Sequence, residues 1–326
     1  MLGETVNTRV DGSESDHSPK TNDRRPISPL VSVIVYYRDH QPFIENTLHS
    51  LQRQTLFEQI EILFPDGSPD GAGTDLARAF PWLHRMALPG STMPELKGKA
   101  IETAAGEYVA ILDPGSIAPP DWIEKILDGF RDEQTMAIGG AVSFDSADTV
   151  ANRAAYLFEY CAFNPPVLAG PTAGDLAGNS VAYRHRCIVV DCADLLRTEG
   201  FYKPFFHDRL RTLGGEIVLL PDLIVGQSTD YRYFPFAMRR GHFGRCYAAR
   251  RLKHCSVTKK WVLRIFAPLA APMVIVRNLP KVKRHPKNLR MFSKTWLSLL
   301  GICVFWGVGE WIGYWFGAGK SCRRLY

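Results

Sequence analysis

Residues 96–121, LKGKAIETAAGEYVAILDPGSIAPPD, constrain the fold more than any other stretch. Ala100, Thr103 and Ala104 are small residues on a helical segment that runs up to Gly106, a stop signal for a helix. The run Tyr108–Leu112 that follows is short, apolar and partly β-branched, the pattern of a strand buried on both faces. Asp113 closes it, and Pro114-Gly115 must then break the strand and turn the chain. Open α/β sheets bind ligands just outside the carboxyl ends of their strands. A carboxylate fixed there is placed to meet a metal–phosphate complex. A second copy of the pattern lies upstream, where the apolar residues 60–64 run into Pro65-Asp66-Gly67-Ser68-Pro69-Asp70-Gly71. Two strands that each deliver an Asp into a Gly/Pro turn predict one cleft lined by acids.

Around these units the elements alternate. Residues 31–37 read as a first strand, and residues 43–54 as a helix with Ile44, Leu48 and Leu51 on one face. Trp122 and Ile123 open a helix after Pro119-Pro120, and residues 137–142 read as a strand with a close-approach glycine pair. At 326 residues the chain can bury a full-sized core, so one large α/β domain with an appendage is expected.

Charge divides the chain in two. Residues 231–326 hold 20 Lys/Arg against a single acid, Glu310, while residues 1–230 are acidic on balance. That asymmetry argues against a nucleic-acid-binding protein and for a soluble domain held against an anionic membrane surface. The seven cysteines form no CxxC pair, which predicts reduced thiols in a cytosolic compartment rather than a zinc site or disulfide scaffold. Residues 1–28 are polar and Ser/Asp-rich, and read as a disordered tail.

The segments VSVIVYYRD, EILFPDGSPDG and AAGEYVAILDPGS resemble, in order and spacing, the nucleotide-sugar-binding half of family-2 glycosyltransferases. The resemblance implies an α/β fold of GT-A type over residues 29–230. That is the three-layer nucleotide-diphospho-sugar transferase fold with a mixed, mostly parallel sheet, here followed by C-terminal apolar helices. It also implies transfer of a sugar, with inversion, from a nucleoside-diphosphate sugar to an acceptor hydroxyl, with Mg2+ or Mn2+ as cofactor. The acceptor would be a glycan or glycolipid, lipid-linked or part of a surface polysaccharide.

By the same resemblance, Tyr36 lies near the nucleotide base and Asp66 accepts a hydrogen bond from a base N–H. Lys97 and Lys99 stand where relatives carry basic residues, and a lysine there suits diphosphate charge. Asp113 matches the first acid of the Asp-x-Asp metal motif, whose second place is held by Gly115. Residues 174–184 resemble the segment that lines the sugar and acceptor side, making Gly178, Asn179 and Arg184 candidates. His207-Asp208 takes the place of a Glu-Asp motif, so Asp208 is the candidate general base and His207 a group able to share that work. The aromatic and basic residues 234–245 resemble a helix that crosses the cleft in membrane-bound relatives. With no acid nearby in sequence, they are expected to face phosphate or lipid.

Two rivals share the fold. A sugar nucleotidyltransferase would want a Gly-rich loop after the first strand, where Tyr36-Tyr37-Arg38-Asp39 has no glycine. A catalytically weak or inactive nucleotide-sugar-binding protein would account for Gly115 and His207. The end of the chain carries two apolar stretches, residues 261–276 and 296–318, flanked by basic residues on every side. Positive charge throughout favours a peripheral or monotopic hairpin at the cytoplasmic face of the membrane, with a span at 296–318 as the alternative.

Overall fold

The computed structural model describes residues 28–38, 41–253 and 255–325. The polar tail expected at residues 1–28 lies outside them except for Ser28, as does Asp39. The strands are β1 (Val31–Ile34), β2 (Ile60–Asp66), β3 (Leu83–Ala87), β4 (Tyr108–Leu112), β5 (Ser116–Ile117), β6 (Thr135–Phe144), β7 (Gly170–Pro171), β8 (Ser180–Arg184) and β9 (Glu216–Gln227). The helices of the sheet domain are α1 (Ile44–Gln52), α2 (Gly73–Ala79), α3 (Met93–Thr103), α4 (Trp122–Gly129), α5 (Val150–Tyr160), α6 (His185–Val189), α7 (Ala193–Glu199) and α8 (Lys203–Thr212). Four more follow: α9 (Tyr233–Lys253), α10 (Val257–Phe266), α11 (Ala270–Arg284) and α12 (Pro286–Phe316).

One mixed sheet runs in the order β3-β2-β1-β4-β8-β6-β9-β5, with β7 on β9. Its first half is parallel, Val33 lying opposite both Ile62 and Ala110. β8 then enters antiparallel to β4, pairing Leu112 with Ser180 and Tyr108 with Arg184. This register positions the site. It brings the chain just before β8 beside Asp113 and sends Arg184 to the opposite end of the strands, beside Tyr108.

Alternation along the strands builds three layers. Val31, Val33 and Val35 pack with Leu48, Leu51, Trp122 and Ile126 on one face. Ile34, Leu63, Val109 and Ile111 pack with Ile101, Ile188, Phe206 and Leu210 on the other. Each such fully buried side chain contributes roughly 1.5–3 kcal/mol over an exposed one. Gly106 is needed for close approach, since a Cβ there would meet the Ser32 backbone nitrogen at 2.6 Å. Ser32 Oγ instead accepts the Gly106 N–H at 2.8 Å and donates to the buried Glu61 carboxylate at 2.5 Å.

The C-terminal helices pack on this domain. Leu299 and Cys303 of α12 bury against Leu157 of α5, and Ile302 joins Phe236 of α9 and Ala154 of α5. Small residues let α9 and α12 approach backbone to backbone, as in tightly packed membrane helices. A Cβ on Gly309 would overlap the Gly241 carbonyl, and one on Gly244 would meet the Trp306 carbonyl at 2.6 Å. The basic stretch between the two apolar segments is helical, forming the end of α11 and the start of α12. α12, of 31 residues, is long and apolar enough to cross a membrane, and only 28% of its most apolar window is buried. The segments Val257–Leu269 and Ala271–Arg284 pass the same test together but are bent by 78°.

Two expectations are corrected here. The cysteines are not all reduced: Cys246 of α9 is bonded to Cys322, with Cα atoms 5.6 Å apart. A separation of 76 residues hides that proximity from any spacing rule. Nor is the basic face of α9 without acids, because Arg240 meets Glu159 of α5 at 2.5 Å. The acid comes from another element, so local sequence could not supply it.

Candidate active site

A cleft of about 2420 Å³ opens at the carboxyl ends of β1 and β4 and runs to the C-terminal helices. At its sheet end stand Tyr36, Lys97, Asp113 and Gly178. Asp175 and Lys203 line the next section, and Arg239, Arg240 and His242 of α9 form the facing wall. Farther on the lining turns apolar, with Phe266, Leu269, Met273 and Trp306.

Asp113 is set by its backbone. Its N–H donates to the Asn179 carbonyl at 2.9 Å, and its carbonyl accepts from Ser116 at 3.0 Å. Gly115 turns the chain at φ +85, and a Cβ there would meet the Ser228 carbonyl at 2.6 Å. No side chain, and hence no second acid, fits at that place. The Asp113 carboxylate receives the Lys97 ammonium at 2.8 Å. Lys97 is nearly buried, its side chain 9% exposed, and its ammonium lies 4.6 Å from the centre of the Tyr36 ring. A cation over an aromatic face is attracted by the ring quadrupole, which holds the ammonium at the cleft surface.

A second polar cluster lies on the α8 side. Asp175 accepts from the Lys203 ammonium at 2.8 Å and lies against His207 Nδ1. His207 Nε2 is 2.8 Å from the Tyr183 hydroxyl. The proton positions follow from chemistry. An ionised Asp175 only accepts, so Nδ1 carries the hydrogen, and Nε2 of the neutral ring accepts from the Tyr183 hydroxyl. Burial lowers the His207 pKa, outweighing the opposing pull of Asp175. Burial alone would raise the Asp175 carboxyl, but His207 and Lys203 together hold it well below the usual carboxylate range. Lys203 is itself lowered by burial, and the charges of both Lys97 and Asp113 reach it.

Of the residues singled out from sequence, the structure gathers Tyr36, Lys97, Asp113 and Gly178 at the cleft. The others lie elsewhere, each for a physical reason. Asp66 is buried, and its carboxylate accepts from Ser68 N–H at 2.9 Å and Ser68 Oγ at 2.6 Å. Arg85 of β3 completes that set, with Nε at 2.8 Å, so Asp66 points toward the sheet edge and not the cleft. Lys99 is exposed and pairs with Glu102 one turn along α3. Asn179 is fully buried and joins strands, donating to Gln227 at 2.8 Å and Ser116 at 3.3 Å.

Arg184 is a correction. At the far end of β8 it donates to the carbonyls of Phe130 at 2.6 Å and Asp132 at 2.9 Å, stacked on Tyr108 and Phe130. Asp208 is another. Its side chain is 81% exposed on the outer face of α8, 3.6 Å from Arg211, because it lies five residues from Lys203 and off the buried stripe. His207, buried four residues after Lys203, keeps the inward phase.

Asp175 and Lys203 were missed. Asp175 sits in the loop ahead of β8, where sequence carries no orientation signal. The spacing of Lys203, His207 and Leu210 at i, i+4 and i+7 does mark one face of α8, and would have placed Asp208 off it. As for the divalent ion, no three His, Cys, Asp or Glu side chains group to hold one among the described residues. Asp113 is the single acid at the strand end, and an ammonium already takes its carboxylate. The donor set does not fit Mg2+ or Mn2+ as it stands.

Comparison with known proteins agrees with this architecture. Residues 32–188, from β1 through most of α6, match the family described as Glycosyl transferase family 2. That segment, just under half of the chain, is similar to family-2 glycosyltransferases. Two curated relatives are EpsJ of Bacillus subtilis, an uncharacterized glycosyltransferase, and the glycosyltransferase GlyG of Streptococcus pneumoniae. EpsJ is 28% identical over 123 residues, 37% of this chain and 36% of EpsJ. GlyG is 28% identical over 131 residues, 37% of this chain and 42% of GlyG. The alignments thus span about two fifths of these relatives' length or less. Among solved structures, the mannosyltransferase PcManGT from Pyrobaculum calidifontis, in complex with GDP-Man and Mn2+, superposes with a TM-score of 0.56 at 15% identity. That likeness covers 87% of each chain, so it extends beyond the sheet domain into the C-terminal helices. The fold is of GT-A type.

Proposed function

We propose that the sheet domain transfers a sugar, with inversion, from a nucleoside-diphosphate sugar to an acceptor hydroxyl. The observation that carries this reading is the meeting of Tyr36, Lys97, Asp113 and Gly178 where β1 and β4 end and β8 begins, on one cleft. The base lies toward Tyr36, the diphosphate beside Lys97, and the sugar toward Gly178, where the absent side chain leaves room.

In the reaction the acceptor oxygen attacks the anomeric carbon as the bond to the diphosphate oxygen breaks, and the leaving group keeps that electron pair. Asp175 replaces Asp208 as the candidate proton acceptor, being a carboxylate that lines the cleft. Lys203 and His207 hold it ionised and fixed, so it accepts a hydrogen bond from the acceptor hydroxyl and orients it. Asp175 is a weak base. The hydroxyl proton, however, becomes strongly acidic as the new C–O bond forms, so late transfer to an ionised carboxylate is enough.

The acceptor is lipid-linked or a surface polysaccharide, and the apolar end of the cleft supports the lipid-linked form. Trp296, Leu300, Val304, Trp311 and Trp315 of α12 are exposed, which supports seating of the basic helical part on or in an anionic membrane, at its cytoplasmic face. The test is transfer by the full-length protein in detergent. Tritiated nucleotide sugars are supplied with a bacterial lipid extract, and label is expected in the lipid fraction. Binding of donor without any transfer would favour the inactive binding protein instead.

A further inference from the structure

Relatives of this fold are expected to neutralise the donor's diphosphate with a divalent ion held by two acids. Here the strand end offers one acid, and the second place cannot hold a side chain, because Gly115 has φ +85 and faces the Ser228 carbonyl. One Asp113 carboxylate oxygen, Oδ1, already receives the Lys97 ammonium at 2.8 Å. That ammonium is not a mobile surface charge. Lys97 projects from α3, whose first turn is fixed by a capping box in which the Thr92 N–H and hydroxyl donate to Glu95 at 2.7 and 2.8 Å. The Tyr36 ring, 4.6 Å away, closes the other side. An ammonium has three N–H donors, and Asp113 receives one of them. A dication on Asp113 would have to displace Lys97 or sit against a like charge.

We propose that Lys97 takes the place of the divalent ion. Its ammonium, positioned by Asp113 and Tyr36, binds the diphosphate of the donor directly, so that donor binding needs no metal. The inference rests on the transferase reading of the same cleft. Asp113 is then a positioning residue for Lys97 and competes with the diphosphate for the ammonium. Lys203 lines the same cleft and carries a second ammonium, paired with Asp175 at 2.8 Å. Lys97 acts as a compact point charge, the form in which lysine binds phosphate.

The test is isothermal titration of GDP, UDP and dTDP into the full-length protein, in 5 mM EDTA and again in 5 mM MnCl2. The expected affinity for the preferred nucleotide differs by less than about threefold between the two buffers. Lys97→Ala weakens binding in EDTA at least tenfold, and Lys97→Arg recovers most of that loss. Binding that appears only with Mn2+, and is lost in Asp113→Asn, overturns the proposal and leaves the transferase reading standing. Failure of all three nucleotides to bind in either buffer overturns the two together. The wild-type comparison of buffers decides the matter even if a variant does not fold.

Discussion

Asp66 and Asp113 look alike in sequence. Each ends an apolar strand, each enters a Gly/Pro turn, and both strands belong to the parallel half of one sheet. The folded chain uses them differently because of what lies beside them. β2 has β3 as its outer neighbour, and Arg85 of β3 reaches across to take the Asp66 carboxylate, with Ser68 filling the remaining positions. β4 has β8 as its neighbour, and the chain entering β8 supplies a backbone carbonyl and a glycine but no cation. Asp113 is therefore left to Lys97 at the rim of the cleft. A strand-end carboxylate becomes available for chemistry only where the adjacent strand leaves it so.

The contrast can be broken or sharpened by substitution. The largest effect is expected at Asp66. Replacing it with Asn strands the Arg85 guanidinium over a buried amide, a loss of about 3 kcal/mol. Urea denaturation of the variant checks it, and an unchanged midpoint would mean that the Asp66–Arg85 pair carries no structural weight. Lys97→Ala should do the reverse, sparing most of the stability while lowering nucleotide affinity about tenfold, equal to about 1.4 kcal/mol. Equal stability losses at the two sites would erase the distinction between a structural and a ligand-facing Asp.

Next in size is a pH effect at the second cluster. His207 is neutral in the fold with its pKa lowered by burial, so below about pH 6.5 the unfolded chain binds the proton more readily. Stability is thus present above that pH and falls as the pH drops. The midpoint of thermal unfolding should decline from pH 7 to pH 5.5, and His207→Gln should flatten that decline. The smallest effect belongs to Asp208→Asn, within about 0.5 kcal/mol of wild type on an exposed helix face. An inactive, well-folded Asp208→Asn enzyme would return that residue to the site.

Much of the fold was legible because the strands are short and apolar and the helices keep their period. That Tyr36, Lys97 and Asp113 meet at the cleft is legible because strand and helix ends are positions that sequence displays. The failures share a cause. Arg85 reaches Asp66 from another strand, Glu159 reaches Arg240 from a helix some eighty residues away, and Cys322 reaches Cys246 across the helical tail. Arg184 was misplaced because the direction of β8 relative to β4 cannot be read from β8 alone. Asp208 differs, since the phase of α8 was available in the spacing of Lys203 and His207 and argues against it.

The central claim is that the Lys97–Asp113 end of the cleft holds an activated sugar donor. Transfer of tritiated sugar from a panel of GDP-, UDP- and dTDP-sugars into lipid extract, run side by side with wild type, Lys97→Ala and Asp208→Asn, tests it most directly. Label should move with at least one donor in wild type and in Asp208→Asn, and fall at least tenfold in Lys97→Ala. Equal transfer by wild type and Lys97→Ala would contradict the claim, as would no transfer from any donor.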